Sequence, residues 1–476
     1  MSVRVISVSV ALAVAMGCST IRNARDAQDS VAAKGAGECP QTSRVDFRGR
    51  SLEWLVGFAM TNRPSVVAAR LEVEDARLAM KTIAADAPLV SETPWTALTL
   101  SASGGYSESS AGTALRDHHF STKGNASAAL SLNLLVWDFG RYGARARAQA
   151  EAVVAAEISL LREGFLVFEE VSNSYFTFLE KNSLLDVALT NQAQYAERLF
   201  QAERRLEAGE ADRLDVLKAR LDLARSRQTA VAASNLVATS GARLMDALGV
   251  DASRGTCEEA FGHLSLGMDE VARAFARTDY GVGEVFDFAR TNAPSVQAAR
   301  ARLRAASHDV DYAIANLLPE LSASTTLSWA DPLWFWQWGV SAAQSLFQGF
   351  RRTTAVDRAV VAMRRAETSV DEAEQSLSAN LESAVAVRDN SIEALRSAVA
   401  SVRSAKENLD TAQEQLLVGS VSRVELSDAI AAYSMALGDS IVAFYDGQRA
   451  EAALFALVGR FPVYSERMVR GGGDEE

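Results

Sequence analysis

Leu130-Ser131-Leu132-Asn133-Leu134-Leu135-Val136-Trp137-Asp138-Phe139-Gly140-Arg141 joins two kinds of structure end to end. Leu130, Leu132, Leu134 and Val136 alternate with Ser131 and Asn133, the period of a strand with one apolar and one polar face. Beyond Arg141 the period changes. Ile158, Leu161, Phe165, Phe168, Tyr175 and Leu179 keep the three-four spacing of a helix packed in a coiled coil. No proline lies between Pro94 and Pro294, so nothing forbids a very long helix there. The junction recurs loosely as Leu346-Phe347-Gln348-Gly349-Phe350-Arg351, an offset of 210 from 136 to 346.

The junction is part of a duplication. Asn62-Arg63-Pro64-Ser65-Val66 returns as Asn292-Ala293-Pro294-Ser295-Val296, an offset of 230 from 62 to 292. Gly209, with Leu214, Asp215 and Val216 after it, returns as Gly419 with Val424, Glu425 and Leu426, an offset of 210. The drop from 230 to 210 means that the first copy carries about twenty extra residues between its Pro and its Trp. They fit best in Ser107 to Lys123, which reads as a long loop. Each copy begins with a helix, Leu52 to Ala87 and Val285 to Leu318, with Pro64 or Pro294 near an early turn. Two strands follow. In the first copy Leu98, Leu100, Ala102, Gly104 and Tyr106 alternate with Thr99, Ser101 and Ser103. In the second, Leu321, Ala323, Thr325 and Leu327 oppose Ser322, Ser324, Thr326 and Ser328, while Trp334, Trp336, Trp338 and Val340 oppose Gln337, Gly339 and Ser341. Then comes a long helix, whose second version keeps Ile392, Leu395, Val399, Val402, Leu409 and Leu416 in step. Each long helix turns at Gly209 or Gly419 and resumes to about Leu248 or Leu457.

Lengths and edges constrain the assembly. Residues 138 to 208 make a rod of roughly 105 Å, which the two shorter helices of the copy match when stacked end to end. Strands of about 12 residues with an apolar face and a Ser/Thr face suit a membrane barrel, with Trp329, Trp334, Trp336 and Trp338 as an interfacial belt. A soluble four-stranded sheet packed on helices is the competing reading. The lack of charge on the polar face and the export signal below weigh against it. Four strands cannot close a barrel, and lipid does not tolerate open strand edges. The chain must therefore share a barrel with other copies of itself.

The N-terminus reads as an address. Arg4 precedes an apolar run from Val5 to Met16, too short to span a bilayer, and Ala15-Met16-Gly17-Cys18 resembles a bacterial lipobox, cut before a Cys that is then acylated. An ordinary signal peptide with Cys18 incidental is the plain alternative. Ser19 stands where an inner-membrane retention signal would place Asp, which by resemblance points to the outer membrane. Residues 19 to 50 read as an extended tether. The 476 residues are 48% apolar and 23% charged, with net charge -12, which argues against disorder and against a general nucleic-acid binder. Four His and three Cys leave little material for zinc, and no Walker loop, G-x-G-x-x-G or H-E-x-x-H occurs, so no cofactor and no enzymatic activity are expected. His118-His119 reads as a solvated loop pair, and Asn125-Ala126-Ser127 as a chance sequon.

The N-x-P-S-V start, the hairpin closing on Trp137-Asp138-Phe139-Gly140-Arg141, and the turn in Glu207-Ala208-Gly209-Glu210-Ala211 with Leu214-Asp215-Val216-Leu217 resemble the TolC-like outer-membrane factor family. Each motif alone is weak; their order, spacing and repetition are specific. The resemblance implies an α+β membrane protein: a homotrimer with a 12-stranded barrel over a 12-helix coiled-coil tunnel. It implies an exit duct for a tripartite efflux pump, with a periplasmic adaptor protein, an inner-membrane transporter and outer-membrane lipid as partners. The duct of a type I protein secretion system, or a non-pore coiled-coil lipoprotein, are the alternatives. It places adaptor docking at Gly209, Leu214, Gly419 and Val424, although Glu210 departs from the family's turn. It places a gate at Arg423, Glu425 and Asp428, with Asp215 from the first copy. Glu425 and Asp428 share a helix face at i and i+3, and spacing alone also fits a solvated acidic face. In this family the segments holding Cys39 and Cys257 run near the middle of the tunnel's outside, so the resemblance allows a disulfide there; two free thiols are equally open. The expected organisation is a signal peptide over 1–17, a lipidated tether over 18–51, a first repeat over 52–250, a linker over 251–284, a second repeat over 285–462 and a tail over 463–476.

Overall fold

The computed structural model describes residues 24, 25, 28, 51–85, 97–111, 119–209, 212–250, 288–330, 333–344, 347–418, 420 and 422–459. Residues 1–48 form a unit separate from 49–476. Ala24, Arg25 and Gln28 of the first unit are helical, where an extended tether was expected; their run is rich in the helix formers Ala, Arg and Gln. The second unit carries the duplicated elements: α1 (Leu52–Asn62), α2 (Pro64–Ala85), β1 (Ala97–Ala111), β2 (His119–Trp137), α3 (Arg141–Glu207), α4 (Arg213–Ala247), α5 (Pro294–Ala315), β3 (Glu320–Ala330), β4 (Leu333–Ala343), α6 (Arg351–Val418) and α7 (Arg423–Val458).

The first helix of each copy is broken where the sequence suggested one run. Arg63 is extended (φ -70, ψ 129) because the following proline ring crowds a helical conformation, and Pro64 begins α2. Ala293 leaves the helical region in the same way before Pro294, and residues 288–292 are helical ahead of it. Ser51 caps α1, its hydroxyl accepting from the Trp54 N–H at 3.3 Å. The long helices match expectation. α3 has 67 residues and α6 has 68, each about 100 Å.

The strands pair in the antiparallel order β1-β2-β3-β4. Register keeps like faces together. Leu98 faces Leu132, Leu130 faces Leu327 and Leu327 faces Trp336 on one side, while Ser131 faces Thr326 and Ser322 faces Ser341 on the other. Two details depart from the sequence reading. The ladder passes from Leu135↔Ser322 to Trp137↔Leu321, so Val136 is an extra, bulged residue, and Trp137 takes the place expected of Val136 on the apolar face. The extra residues of the first copy are mostly strand rather than loop: β1 runs 15 residues and β2 runs 19, against 11 each for β3 and β4. Residues 112–118 lie outside the described part.

The helices form a layer. α5 and α7 pack between α3 and α6, and α2 and α4 pack on α3. The stacked short helices meet at matching joints. α4 ends at Leu248, fully buried, and Gly249 (φ +73), where an added Cβ would stand 3.2 Å from the Arg63 Cα. α7 ends at Gly459 (φ +73), where a Cβ would stand 2.8 Å from the Pro294 Cδ. The second joint is sealed by Ala289, Ala293, Val296, Leu377, Leu381, Leu454 and Val458, all buried. Among the described residues no helix is long and apolar enough to cross a membrane.

Candidate functional site

The sheet is amphipathic through its whole width. Hydroxyls link neighbouring strands across the polar face: Ser131 Oγ to Thr326 Oγ1 at 3.2 Å and Ser322 Oγ to Ser341 Oγ at 2.9 Å. On the apolar face Trp334, Trp336 and Trp338 are each about two-thirds exposed or more, and the Trp336 indole N–H donates to Thr325 Oγ1 at 2.8 Å, satisfying both polar groups. With 11 residues and the usual tilt, β3 and β4 rise about 28 Å, close to a bilayer core. Below the sheet the turn into each long helix uses two consecutive left-handed residues, Phe139-Gly140 and Gly349-Phe350, in opposite residue order. Asp138, buried, accepts from the Gly140 N–H at 3.1 Å and from the Tyr142 N–H, fixing the start of α3. Arg141 bridges to Glu320 at 2.8 Å, tying the start of α3 to the start of β3.

The far ends of the helix pairs hold the expected docking and gate residues. At the first end the Gly209 N–H donates to the Leu206 carbonyl at 3.0 Å with φ +75, and open space surrounds its Cα. Asp212 precedes α4 without a side-chain cap, and Leu214 is half-exposed, as is Leu217. The second end is built differently. Ser420 N–H and Oγ both donate to the Gln415 carbonyl, at 3.0 and 3.1 Å. Ser422 and Glu425 form a reciprocal capping box: the Ser422 N–H donates to Glu425 Oε2 at 2.9 Å, and the Glu425 N–H donates to Ser422 Oγ at 3.3 Å. Val424, Glu425 and Asp428 are exposed, and Leu426 packs against the buried Leu409, Ala412, Ala429 and Ile430. Arg423 opens α7, and Asp215 lies in the first turn of α4. Gly419, Cys18, Cys39, Cys257 and His118 lie outside the described residues; His119 opens β2. Among the described residues no His/Cys/Asp/Glu group is fit to hold a metal.

Sequence reasoning missed the capping box that Glu425 forms, although Ser-x-x-Glu at 422–425 is a capping signature. It also missed a polar centre between α3 and α7. Glu180, only 3% exposed, takes Lys181 at 2.5 Å and Arg449 at 2.7 Å, and Arg449 also reaches Asp446 and Thr177. Burial works against the Arg449 charge, but Asp446 and Glu180 outweigh it and hold the guanidinium above its ordinary pKa. Burial pushes the Tyr445 phenol up to about 12; the Ser183 hydroxyl works against the rise, and Tyr175 and Glu180 add to it. Beside this centre a cavity of about 620 Å³ opens between α3, α6 and α7, lined by Glu169, Asn390, Asp439 and Asp446 among others, and burial there raises the Glu169 carboxyl. Ser434 Oγ donates to Asn191 Oδ1 at 2.7 Å, a second polar link between α3 and α7. No periodicity marks these residues, because the pairs that join α3 to α7 link positions more than 240 apart in the chain.

The family model for outer membrane efflux proteins matches residues 55–250 and 285–460. A comparison with curated proteins returns no match. Among solved structures, CusC, described for folding and transmembrane channel formation, is 20% identical, with 89% of this chain and 96% of that one covered and a TM-score of 0.73. The Campylobacter jejuni CmeC outer membrane channel is 16% identical, with 88% and 89% covered and a TM-score of 0.71. The open state of the Neisseria gonorrhoeae MtrE outer membrane channel is 15% identical, with 88% and 93% covered and a TM-score of 0.68. At these identities the likeness is one of fold.

Proposed function

The chain belongs to the outer membrane efflux protein family, an outer-membrane efflux duct rather than an enzyme, and from that premise we propose that three copies form the exit duct of a tripartite pump, conducting drugs or other small molecules passively from the periplasm to the exterior. The observation that carries this is a single sheet, apolar on one face and hydroxyl-lined on the other, set on helices about 100 Å long. β1 and β4 end the sheet, and three copies of four strands supply a closed 12-stranded barrel. The flank of the helical layer supports association with a neighbouring copy. α4 exposes Leu214, Leu217, Leu221, Val231 and Leu236 along its length, an apolar stripe that a neighbouring copy would cover.

In this reading the helix ends around Gly209, Leu214, Gly419 and Val424 meet the adaptor protein, which links to the inner-membrane transporter. Arg423, Glu425, Asp428 and Asp215 narrow the mouth, with Glu425 and Asp428 repeated in every copy as an acidic ring. Cys18 carries the lipid, residues 18–51 tether it, 251–284 link the two repeats, and Cys39 and Cys257 are the pair to test for a disulfide. Conductance in planar bilayers, with light scattering in detergent, tests the whole. A trimer about 140 Å long with single-channel steps is expected; a monodisperse monomer without conductance would overturn the reading.

The capping box shapes the test of the gate. Glu425→Ala removes both the charge and the cap, whereas Gln keeps the cap. Glu425→Gln with Asp428→Asn should raise conductance and weaken cation selectivity without loosening α7. A variant matching wild type in both would place the gate elsewhere. For docking, bulky residues at Ala208, Ser420 or Val421 should cut efflux while the trimer persists; unchanged drug susceptibility counts against docking there.

A further inference from the structure

Where the two long helices leave the sheet, the charge of the chain reverses. The chain as a whole carries net charge -12. Its residues 141–148 and 351–358, the first two turns of α3 and α6, hold six arginines against one acid, Asp357. Glu320 takes one of the six, Arg141, at 2.8 Å. Neither long helix has an acid in its first turn, where the helix dipole favours one. Arginine in that place costs stability unless an anion from outside the helix offsets it. Arg147, Arg351 and Arg358 are exposed and make no ion pair among the described residues; the Arg147 Nε donates to the Gly143 carbonyl at 3.2 Å.

The sheet fixes the level of these arginines. Trp329 faces Trp334 near the end of β3 and β4 that points away from the helices, and Trp137 faces Leu321 in the last pair at the other end. Trp137 lies on the apolar face, and Phe139 meets it edge-on with ring centres 6.2 Å apart. Phe347 matches Trp137 at an offset of 210 and meets Phe350 at 5.6 Å. All four rings are exposed. Phe139 and Phe350 hold φ +54 and +59, a conformation that glycine adopts freely, so the turn by itself does not call for a ring at either place. Exposed aromatic rings at the ends of lipid-facing strands mark the boundary between acyl chains and headgroups. The arginines begin directly after these rings, and Arg358 lies about 10 Å further along α6. A stretched guanidinium side chain reaches the headgroup layer from there.

Resting on the outer-membrane duct above, we propose that these arginines bind the headgroups of anionic phospholipids in the periplasmic leaflet, as a basic collar around the assembly directly below the aromatic rings. The guanidinium matches a phosphate in charge and in its paired donors. The collar continues the lipid-facing side of the sheet, so a lipid whose chains meet the rings presents its phosphate at the level of the arginines. A zwitterionic headgroup gains less there than an anionic one.

The test uses the full chain as a trimer in vesicles of equal parts phosphatidylethanolamine and phosphatidylglycerol, extracted in mild detergent, with mass spectrometry of the lipid that stays bound. Wild type should retain phosphatidylglycerol over phosphatidylethanolamine by about tenfold, and by less as salt rises. Arg147→Gln with Arg351→Gln and Arg358→Gln should bring the ratio close to one. Arg205→Gln with Arg225→Gln and Arg227→Gln removes the same charge far from the sheet and should leave the ratio as in wild type. No enrichment in wild type, equal enrichment in the collar variant, or equal loss in both variants overturns the proposal. Displacement of the lipid by inorganic phosphate, at an ionic strength where chloride leaves it bound, overturns the lipid assignment as well. If the collar variant fails to assemble, the wild-type enrichment and its salt dependence decide. A wild type that is monomeric fails earlier, at the duct reading, and takes the proposal with it.

Discussion

α4 and α7 hold the same place in their copies, each returning from a helix end to the middle of the layer, and they live in different surroundings. α4 packs along α3, while α7 lies between α3 and α6. Their sequences follow their neighbours. With Gly209 matched to Gly419 and Gly249 to Gly459, Asn235 and Gly241 of α4 stand where α7 carries Tyr445 and Glu451, an offset of 210 at each. α7 buries Phe444 and Tyr445 and reaches Glu180 through Arg449, whereas α4 leaves Leu217, Leu221 and Val231 about half-exposed or more. A duplicated helix has thus been completed twice, once by its own chain and once by a surface that a second copy would cover. What did not diverge is the joint where each helix ends on the proline turn of its own copy.

The joint gives the largest expected effect. Gly459→Ala forces a left-handed alanine and sets its Cβ 2.8 Å from the rigid Pro294 ring, a loss of about 3 kcal/mol. Gly249→Ala carries the same backbone strain with a looser 3.2 Å approach to Arg63, a loss of about 2 kcal/mol. Urea unfolding of the two variants measures both, and equal losses would mean that the two joints pack alike. Next comes the buried phenol that only α7 carries. The Tyr445 pKa is raised from 10.0 to about 12 in the fold, so its contribution is whole below pH 10 and is lost as pH rises from 10 to 12, while the unfolded chain ionises and the folded one does not. Relative to Tyr445→Phe, wild type should lose about 2 kcal/mol across that window. Parallel alkaline unfolding curves would break the assignment.

The helix ends differ in how the returning helix is capped. Ser422→Ala removes half of the capping box and should cost about 1 kcal/mol locally, seen as faster amide exchange over 423–427. Asp212→Ala at the matching place should change exchange little, since Asp212 makes no side-chain cap. Similar protection losses at both ends would erase the contrast between them.

How far the sequence could be read follows the range of the interactions. The duplication, both long helices, four strands and the two-faced sheet were legible because each rests on local period, and the family resemblance rests on the same short motifs. The breaks at Arg63 and Ala293 were half-legible: proline announced them, but whether the helix bends or stops depends on the glycine of a helix about 170 to 190 residues further on. The strand extensions were hidden because Ser-Gly runs have a loop's composition, and pairing overrode it. At the candidate site the positions at the helix ends were legible and the bonding was not. Glu425 was read as a gate carboxylate or as part of a solvated acidic face, and its bond with Ser422 was not foreseen. The Arg449–Glu180 centre has no local signature at all.

The smallest effect tests the same contrast through charge. Glu451 of α7 is a carboxylate placed where α4 has Gly241, and burial raises its pKa above 4.5, with Arg388 opposing the rise. A raised carboxyl favours the protonated form in the fold. Its contribution to stability is therefore whole below 4.5 and is lost as pH climbs through the raised folded value. Glutamine keeps the shape and does not titrate. Glu451→Gln should then be more stable than wild type at pH 7, by less than about 1 kcal/mol because Glu451 retains some contact with solvent, and the advantage should shrink toward pH 4. Thermal melts of both proteins at the two pH values decide it. If the advantage instead grows on acidification, Arg388 outweighs burial, and α7 holds Glu451 as an ion pair rather than tolerating it as a buried acid.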